Sequence, residues 1–295
     1  MSTLLALVSD LFFSVQIQNT ARMLGWDCEN IESANQIPVQ PPLTTRPDEP
    51  TPDSFNRGPT QNSALGHNFI AYVVELQPVL IVVELQSPGS EAMGNSAALP
   101  WEAWVVAAKT SPAIRRIPIL AFGPHVDTVT RERAIQAGCD VVVTKGQFTA
   151  RMGDLFQQHA RLPDPSAAQA AAEGELSEKA RKGIELFNKG DYFEAHEELE
   201  HAWNEEEGPG RELYRGILQI AVAYLQITRR NYNGAIKMFL RARQWLDPLP
   251  DVCRSVDVAA LRRDAADVRA ALEALGAERI GAFEAAKLKP VRLRE

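Results

Sequence analysis

Through the first half of the chain, short runs of consecutive apolar residues alternate with stretches whose apolar positions recur every three or four residues. Leu4-Leu5-Ala6-Leu7-Val8 reads as a buried strand, residues 12–24 as a helix and residues 26–31 as a weaker strand. Strong apolar runs follow at 79–83, 117–122 and 140–144, with helical patterns at 101–110 and 128–137 between them and another at about 150–161. Strands that are apolar on both faces and separated by helices predict a parallel sheet covered on both sides. From Leu176 onward the period is helical throughout, with segments at about 177–189, 192–206, 210–228, 232–246 and 256–275 and a short one reaching Lys287. That half predicts an all-α bundle.

Breaks in the pattern set the expected domains. Residues 36–63 carry seven prolines and few apolar side chains, so they are expected as a flexible insertion. A Gly, Ser and Ala-rich loop at 87–98 is expected to behave likewise. Leu162-Pro163-Asp164-Pro165 and the alanine-rich run after it mark a linker over 162–175, between an α/β domain over 1–161 and a helical domain over 176–290. Within the helical half, Gly190 and Asp191 predict a left-handed helix end followed by an Asp N-cap, and Asn231 a second N-cap with the small Gly234 beside it.

Composition narrows the classes. A length of 295 residues with 45% hydrophobic content suits two domains with real cores. A net charge of −7 argues against a nucleic-acid surface, and the basic tail of Lys287, Lys289, Arg292 and Arg294 reads as solvated. Three distant cysteines, Cys28, Cys139 and Cys253, form neither a disulfide framework nor a zinc motif, which fits a reducing cytoplasm. The apolar start is too short for a membrane span and lacks a basic region for a signal peptide. No glycine-rich phosphate loop, dinucleotide fingerprint or serine elbow is present, so no cofactor is expected.

The order of elements, together with Asp10 after the first strand, Glu84 ending the third and Thr144-Lys145 after the fifth, resembles response-regulator receiver domains over about residues 3–161. The similarity is closest from Ile117 to Phe122 and from Ala134 to Asp140. The resemblance implies a flavodoxin-like doubly wound sheet with a phosphate-accepting aspartate on the third strand, an acidic pair holding magnesium, a hydroxyl on the fourth strand and a lysine on the fifth. Here the acceptor position is Glu84, the acidic pair is reduced to Ser9-Asp10, and the hydroxyl position is Gly123. One carboxylate is a poor site for a hard cation. Lys145 is kept, and an ion pair with Glu84 or Asp10 is its expected role. The implied unit is a pseudo-receiver retained for docking or self-association.

In the helical half, Tyr192, His196, Glu200 and Trp203 recur at spacings of four and three, so they share one stripe of a helix. Arg211, Arg215 and Gln219 share a stripe of the next, joined to it through Gly208-Pro209-Gly210. A buried carboxylate needs a partner, so Arg215, Gln219 or Tyr214 is expected to meet His196 or Glu200 in a structural network or beside a pocket. The alternative is a metal or acid–base site on His196, Glu197 and Glu200, although that spacing lacks the second histidine of a zincin helix.

Three stretches, Gly190 to Trp203, Arg215 to Ala223 and Asn231 to Ala235, resemble the family catalogued as domain of unknown function 309, over about residues 175–246. That family implies a small helical fold without a settled activity. Gln226 stands where members often carry histidine, and Arg230 where glycine is usual. The expectation is a non-enzymatic signalling or adaptor protein working through a protein partner or self-association, without nucleic acid or membrane. The competing expectation is a metal- or ligand-binding protein, or an enzyme, acting through His196 and Glu200.

Overall fold

A computed structural model describes residues 2–39, 64–85 and 99–294, and its contacts divide into two units. In the first, β1 (Thr3–Leu7), β2 (Asp27–Ile31), β3 (Leu80–Glu84), β4 (Ile119–Gly123) and β5 (Val141–Thr144) form one parallel sheet in the order β2-β1-β3-β4-β5. Between and after them run α1 (Leu11–Met23), α2 (Ala64–Leu76), α3 (Trp101–Thr110), α4 (Thr128–Ala137) and α5 (Lys145–His159). This is the flavodoxin-like doubly wound order.

Burial explains the strand patterns. Leu4, Ala6, Leu80, Val82, Leu120 and Phe122 pack one sheet face onto Phe13 and Ile17 of α1 and Phe148, Met152 and Phe156 of α5. The alternate residues Leu5, Leu7, Ile81, Val83 and Ile119 are equally buried, so the other face is covered too. On α2 and α3, Phe69 stacks on Trp104 at 4.9 Å. The weaker β2 signal comes from an edge strand, where Asp27 and Glu29 stay exposed.

Helix α5 begins five residues earlier than the pattern indicated. Thr144 and Gln147 form a reciprocal capping box immediately after β5, and this outweighs the weak propensity of Gly146 and Thr149. The helix is interrupted at Arg151 (φ −133°, ψ 24°). At the start of the expected insertion, residues 34–36 form a 3₁₀ turn closed by Gln36, and Ile37 is buried. The remainder of the insertion, 40–63, and the whole of the expected loop at 87–98 lie outside the described residues.

The second unit holds α6 (Pro165–Ala172), α7 (Glu178–Lys189), α8 (Tyr192–Glu205), α9 (Arg211–Thr228), α10 (Tyr232–Leu246), β6 (Val252–Cys253), β7 (Val256–Asp257) and α11 (Val258–Leu275). Helices α7 to α10 pack neighbour on neighbour, and α9 buries Leu213, Ile217, Ile220 and Tyr224. The unit is helix-rich, with the small β6–β7 pair as an addition to the expected bundle.

Two expectations are corrected here. The expected linker contains α6: Asp164 accepts from the N–H groups of Ser166 (2.9 Å) and Ala167 (3.2 Å), and Pro165 stands at the first helical position, where its missing N–H costs nothing. Ala171 is buried, and its carbonyl accepts from Cys253 Sγ at 3.1 Å. The basic residues Lys287, Lys289, Arg292 and Arg294 are exposed, as expected, while the backbone of the tail is held in place. Arg292 pairs with Asp264 (3.0 Å) and Arg294 with Asp257 (2.8 Å), while Asn188 bonds both the N–H (2.8 Å) and the carbonyl (2.9 Å) of the buried Val291. Asp191 sits at the start of α8 but makes no side-chain cap.

Two helix ends show why particular residues stand there. At the end of α7, Gly190 (φ 89°) and Asp191 return N–H bonds to Phe187 and Leu186, both at 3.0 Å. At the end of α9, Arg230 and Asn231 make the same pair of bonds to Ile227 (2.9 Å) and Gln226 (2.8 Å), with Arg230 at φ 59°. This is the Schellman geometry, which glycine adopts without strain. A glycine at the Arg230 position is therefore what the backbone favours.

Candidate functional site

Two groups of residues carry chemistry, one in each unit. In the α/β unit, β1 and β3 are neighbours at the point where the strand order reverses, and doubly wound sheets bind ligands beyond the strand ends at that point. Glu84 ends β3 there and is 5% exposed. Its Oε1 accepts from Lys145 Nζ at 2.9 Å, and its Oε2 accepts from the backbone N–H of Asp10 at 3.2 Å. Lys145, at the head of α5, also lies 4.8 Å from the centre of the Phe13 ring, so its ammonium is held by an anion and an aromatic face together. Phe13 is in turn packed on Phe122 (5.0 Å) and Phe122 on Phe148 (4.0 Å).

Asp10 is committed to the helix. Its Oδ1 accepts from Phe12 N–H at 2.9 Å and caps α1. Beside Glu84, Leu85 is buried, and a Cβ added to Gly123 would lie 3.0 Å from the Leu85 Cβ. The place next to the fourth-strand position is thus filled with hydrocarbon. Leu85 and Phe13 contribute to this arrangement, and only the apolar character of their positions was visible in the sequence.

In the helix-rich unit the expected stripe divides. Tyr192 leaves it for an aromatic cluster, meeting Phe187 and Tyr224 edge-on at 5.4 Å each, and burial raises its phenol pKa. His196 Nε2 lies 3.7 Å from Glu200 Oε2 on a half-exposed surface, and Glu197 is exposed. Among the described residues no three His, Cys, Asp or Glu side chains gather in a way that could hold a metal ion.

Trp203 and Arg215 do come together. The Arg215 guanidinium lies between two indoles, 4.8 Å from Trp203 and 3.9 Å from Trp245, and Arg211 covers Trp203 at 5.3 Å. Asn231 belongs to a local network: its Oδ1 caps α10 through Gly234 N–H, and its Nδ2 donates to Gln226 Oε1, both at 2.9 Å. A Cβ at Gly234 would fall 2.6 Å from that amide, so the residue is small to seat the Asn231 side chain. Gln226 fills the expected histidine position as a hydrogen-bond acceptor.

Tyr214, an expected partner for His196 or Glu200, is directed elsewhere. Its hydroxyl accepts from Ser177 N–H (3.1 Å) and from Arg254 Nη1 (2.8 Å). Arg254 Nη1 also donates to Glu206 Oε2 at 2.5 Å, and the bond holds that carboxyl below its ordinary pKa. No spacing or motif in the sequence marks this triad. Arg254 and Ser255 both take positive φ (47° and 67°) in the β6–β7 turn, a conformation usually marked by Asn-Gly. At the acidic end of α8, Glu206 pairs with Arg254 and Glu205 with Lys179.

These observations define a doubly wound α/β unit of the receiver type and a helix-rich unit in one chain. Residues 180–238 match the model of the family described as domain of unknown function (DUF309). Solved structures similar to the first half include the chemotaxis response regulator CheY4 of Vibrio cholerae, 12% identical with a TM-score of 0.35, covering 54% of this chain and 98% of that one. The phosphorylated cyanobacterial phytochrome response regulator RcpA is 11% identical with a TM-score of 0.36, covering 55% and 99%. The response regulator RPA3017, in red light signaling of R. palustris, is 11% identical with a TM-score of 0.36, covering 56% and 99%. No curated protein matches the chain. Among the described residues no helix is long and apolar enough to cross a membrane.

Proposed function

We propose that the chain is a non-enzymatic signalling or adaptor protein whose receiver-type unit does not accept phosphate and whose helix-rich unit holds a protein partner. One observation carries the reading: both oxygens of the Glu84 carboxylate are already engaged, by Lys145 Nζ and the Asp10 N–H, at the position a phosphorylatable receiver keeps for its acceptor. One side-chain oxygen of Asp10 caps α1, and Leu85 fills the space beside Gly123. A cation there would have to displace Lys145, and a phosphoryl group would find no hydroxyl donor on β4.

Phosphoryl transfer provides the test. The purified chain is incubated with acetyl phosphate and magnesium and followed by intact-mass spectrometry. The reading expects no phosphoryl adduct on the natural chain, and none on Glu84→Asp, since restoring the acceptor leaves the cation and hydroxyl positions unfilled. An adduct on Glu84 in the natural chain overturns it.

A further inference from the structure

Residues 288–294 lie against the helix-rich unit as a segment held chiefly by its main chain. At Val291, Asn188 of α7 accepts from the N–H at 2.8 Å and donates to the carbonyl at 2.9 Å, so one amide side chain reads both polar groups of a single residue. Further on, the segment pairs antiparallel with β7, Leu293 against Val256. The Asp257 N–H donates to the Arg292 carbonyl at 2.9 Å, and the Arg294 N–H donates to the Ser255 carbonyl at 2.7 Å. The β6–β7 pair thus receives an added strand from a distant part of the chain. Adding an extended strand to a sheet edge is a recurring mode of peptide recognition, in which main-chain bonds give affinity and sites for alternate side chains give selectivity.

The side chains show that alternation. Val291 is 2% exposed, whereas Arg292 pairs with Asp264 at 3.0 Å and Arg294 with Asp257 at 2.8 Å. Those two carboxylates are themselves only 16% and 12% exposed, although both arginines stay about half exposed. Pro290, which has no N–H to place, precedes the buried residue and is exposed. Residues 287–294 hold four Lys and Arg and no acid, in a chain whose net charge is −7. Each of these contacts is already made to a peptide chain, so a peptide chain can reach the groups that make them.

The hold on this segment is separable from the helices beneath it. Between the end of α11 and Leu288 lie Gly276 at φ 77° and two 3₁₀ turns, 277–282 and 285–287, and residues 284–287 are all exposed. Within 288–294 only Val291 is buried. A tethered segment competes at an effective concentration of about millimolar order, which a tighter-binding segment from another protein overcomes.

We propose that Asn188, the edge of β7, Asp257 and Asp264 form a peptide groove, which residues 288–294 fill in cis and an extended segment of a partner protein fills in trans. The partner segment carries an apolar β-branched residue with basic residues one and three positions after it. The proposal rests on the adaptor reading and names the chemistry of its partner.

Fluorescence anisotropy tests it, with an amidated, fluorescein-labelled Leu-Lys-Pro-Val-Arg-Leu-Arg peptide titrated with full chains. Val291→Asp removes the buried anchor of the cis segment, and this chain is expected to bind one peptide. The natural chain should bind about tenfold more weakly or worse, because its own segment competes. A peptide with Glu in place of Lys and Arg is expected not to bind. Added to Val291→Asp, Asn188→Ala should weaken binding about tenfold, the scale of two neutral hydrogen bonds, and Asp264→Asn about threefold. Absence of binding, equal binding by the natural and released chains, equal binding of the Glu peptide, or no effect of Asn188→Ala overturns the proposal. Light scattering covers the other occupant: a dimer of the natural chain that Val291→Asp dissolves would make a second copy the donor of the segment, and also overturns it. If Val291→Asp does not unfold cooperatively on heating, Arg292→Glu with Arg294→Glu, at exposed positions, releases the segment instead and carries the same expectations. Failure of that chain to fold makes the segment part of the core and overturns the proposal too. None of these outcomes alters the phosphoryl-transfer result, so the two readings fail separately.

Discussion

Glu206 shows how one carboxylate ties loops together. Arg254 Nη1 donates to its Oε2 at 2.5 Å and Gly208 N–H to its Oε1 at 2.9 Å, and the Arg254 bond is the main cause of its lowered pKa. Its folded value therefore lies below its unfolded one. The linked stability is fully present above the unfolded value, near 4.5, and is lost as pH falls through the folded value. Glu206→Gln should lower stability near neutral pH and flatten the acid limb of a stability-against-pH curve obtained by urea unfolding. An acid limb as steep as that of the natural chain would show that other carboxylates carry it. At the same scale, Gly190 and Asn231 could be read from sequence because glycine freedom and asparagine capping are local properties. Arg254 could not, since its partners Glu206 and Tyr214 stand 48 and 40 residues away.

Between elements, α9 and α10 approach closely at Gly216. A Cβ at Gly216 would overlap the Leu246 side chain, so glycine is required there by packing rather than by backbone conformation. Gly216→Ala must push α10 away or force Leu246 off its rotamer, and overpacking of this kind costs about 1–3 kcal/mol. Chemical denaturation should show that loss, and an unchanged midpoint would mean that Leu246 yields freely. The same pairing of helices brings Trp245 onto Arg215, so a looser α9–α10 contact should also disturb the stacked guanidinium. In the α/β unit the comparable link is Lys145 with Glu84, which ties the head of α5 to the end of β3. Arg215 was expected to meet His196 or Glu200, yet it stacks on two indoles. Helical spacing shows which residues share a face but not which neighbouring helix supplies their partner.

For the whole molecule, each unit has a core of its own: Leu4, Phe122 and Phe148 in one, and Ile217, Tyr224 and Phe239 in the other. We therefore expect residues 164–295, expressed alone, to fold. Their thermal unfolding should be cooperative, and Trp203 and Trp245 should contribute a near-ultraviolet circular dichroism signal. Helical far-ultraviolet signal without near-ultraviolet signal would instead indicate loose packing and a need for the remainder of the chain. The start at 164 rather than 176 matters. Helix α6 supplies the buried Ala171 and the carbonyls that accept from Cys253 Sγ and Arg254 N–H.

The sequence by itself determined the alternation of strands and helices, the sheet buried on both faces and the helix-rich second half, because each follows from the period of apolar positions. It also showed which residue types, Glu84, Asp10 and Gly123, stand where the resemblance to receiver domains implies an acceptor, an acidic pair and a hydroxyl. The tertiary structure decided what those residues do instead: which oxygen of Glu84 takes Lys145, that Asp10 caps α1, and that Leu85 fills the gap beside Gly123. It also decided that Tyr192 joins Phe187 and Tyr224 in an aromatic cluster and that Trp203 and Trp245 stack on Arg215. Such pairings depend on how helices distant in sequence lie against one another, and no periodicity along a single helix contains that information.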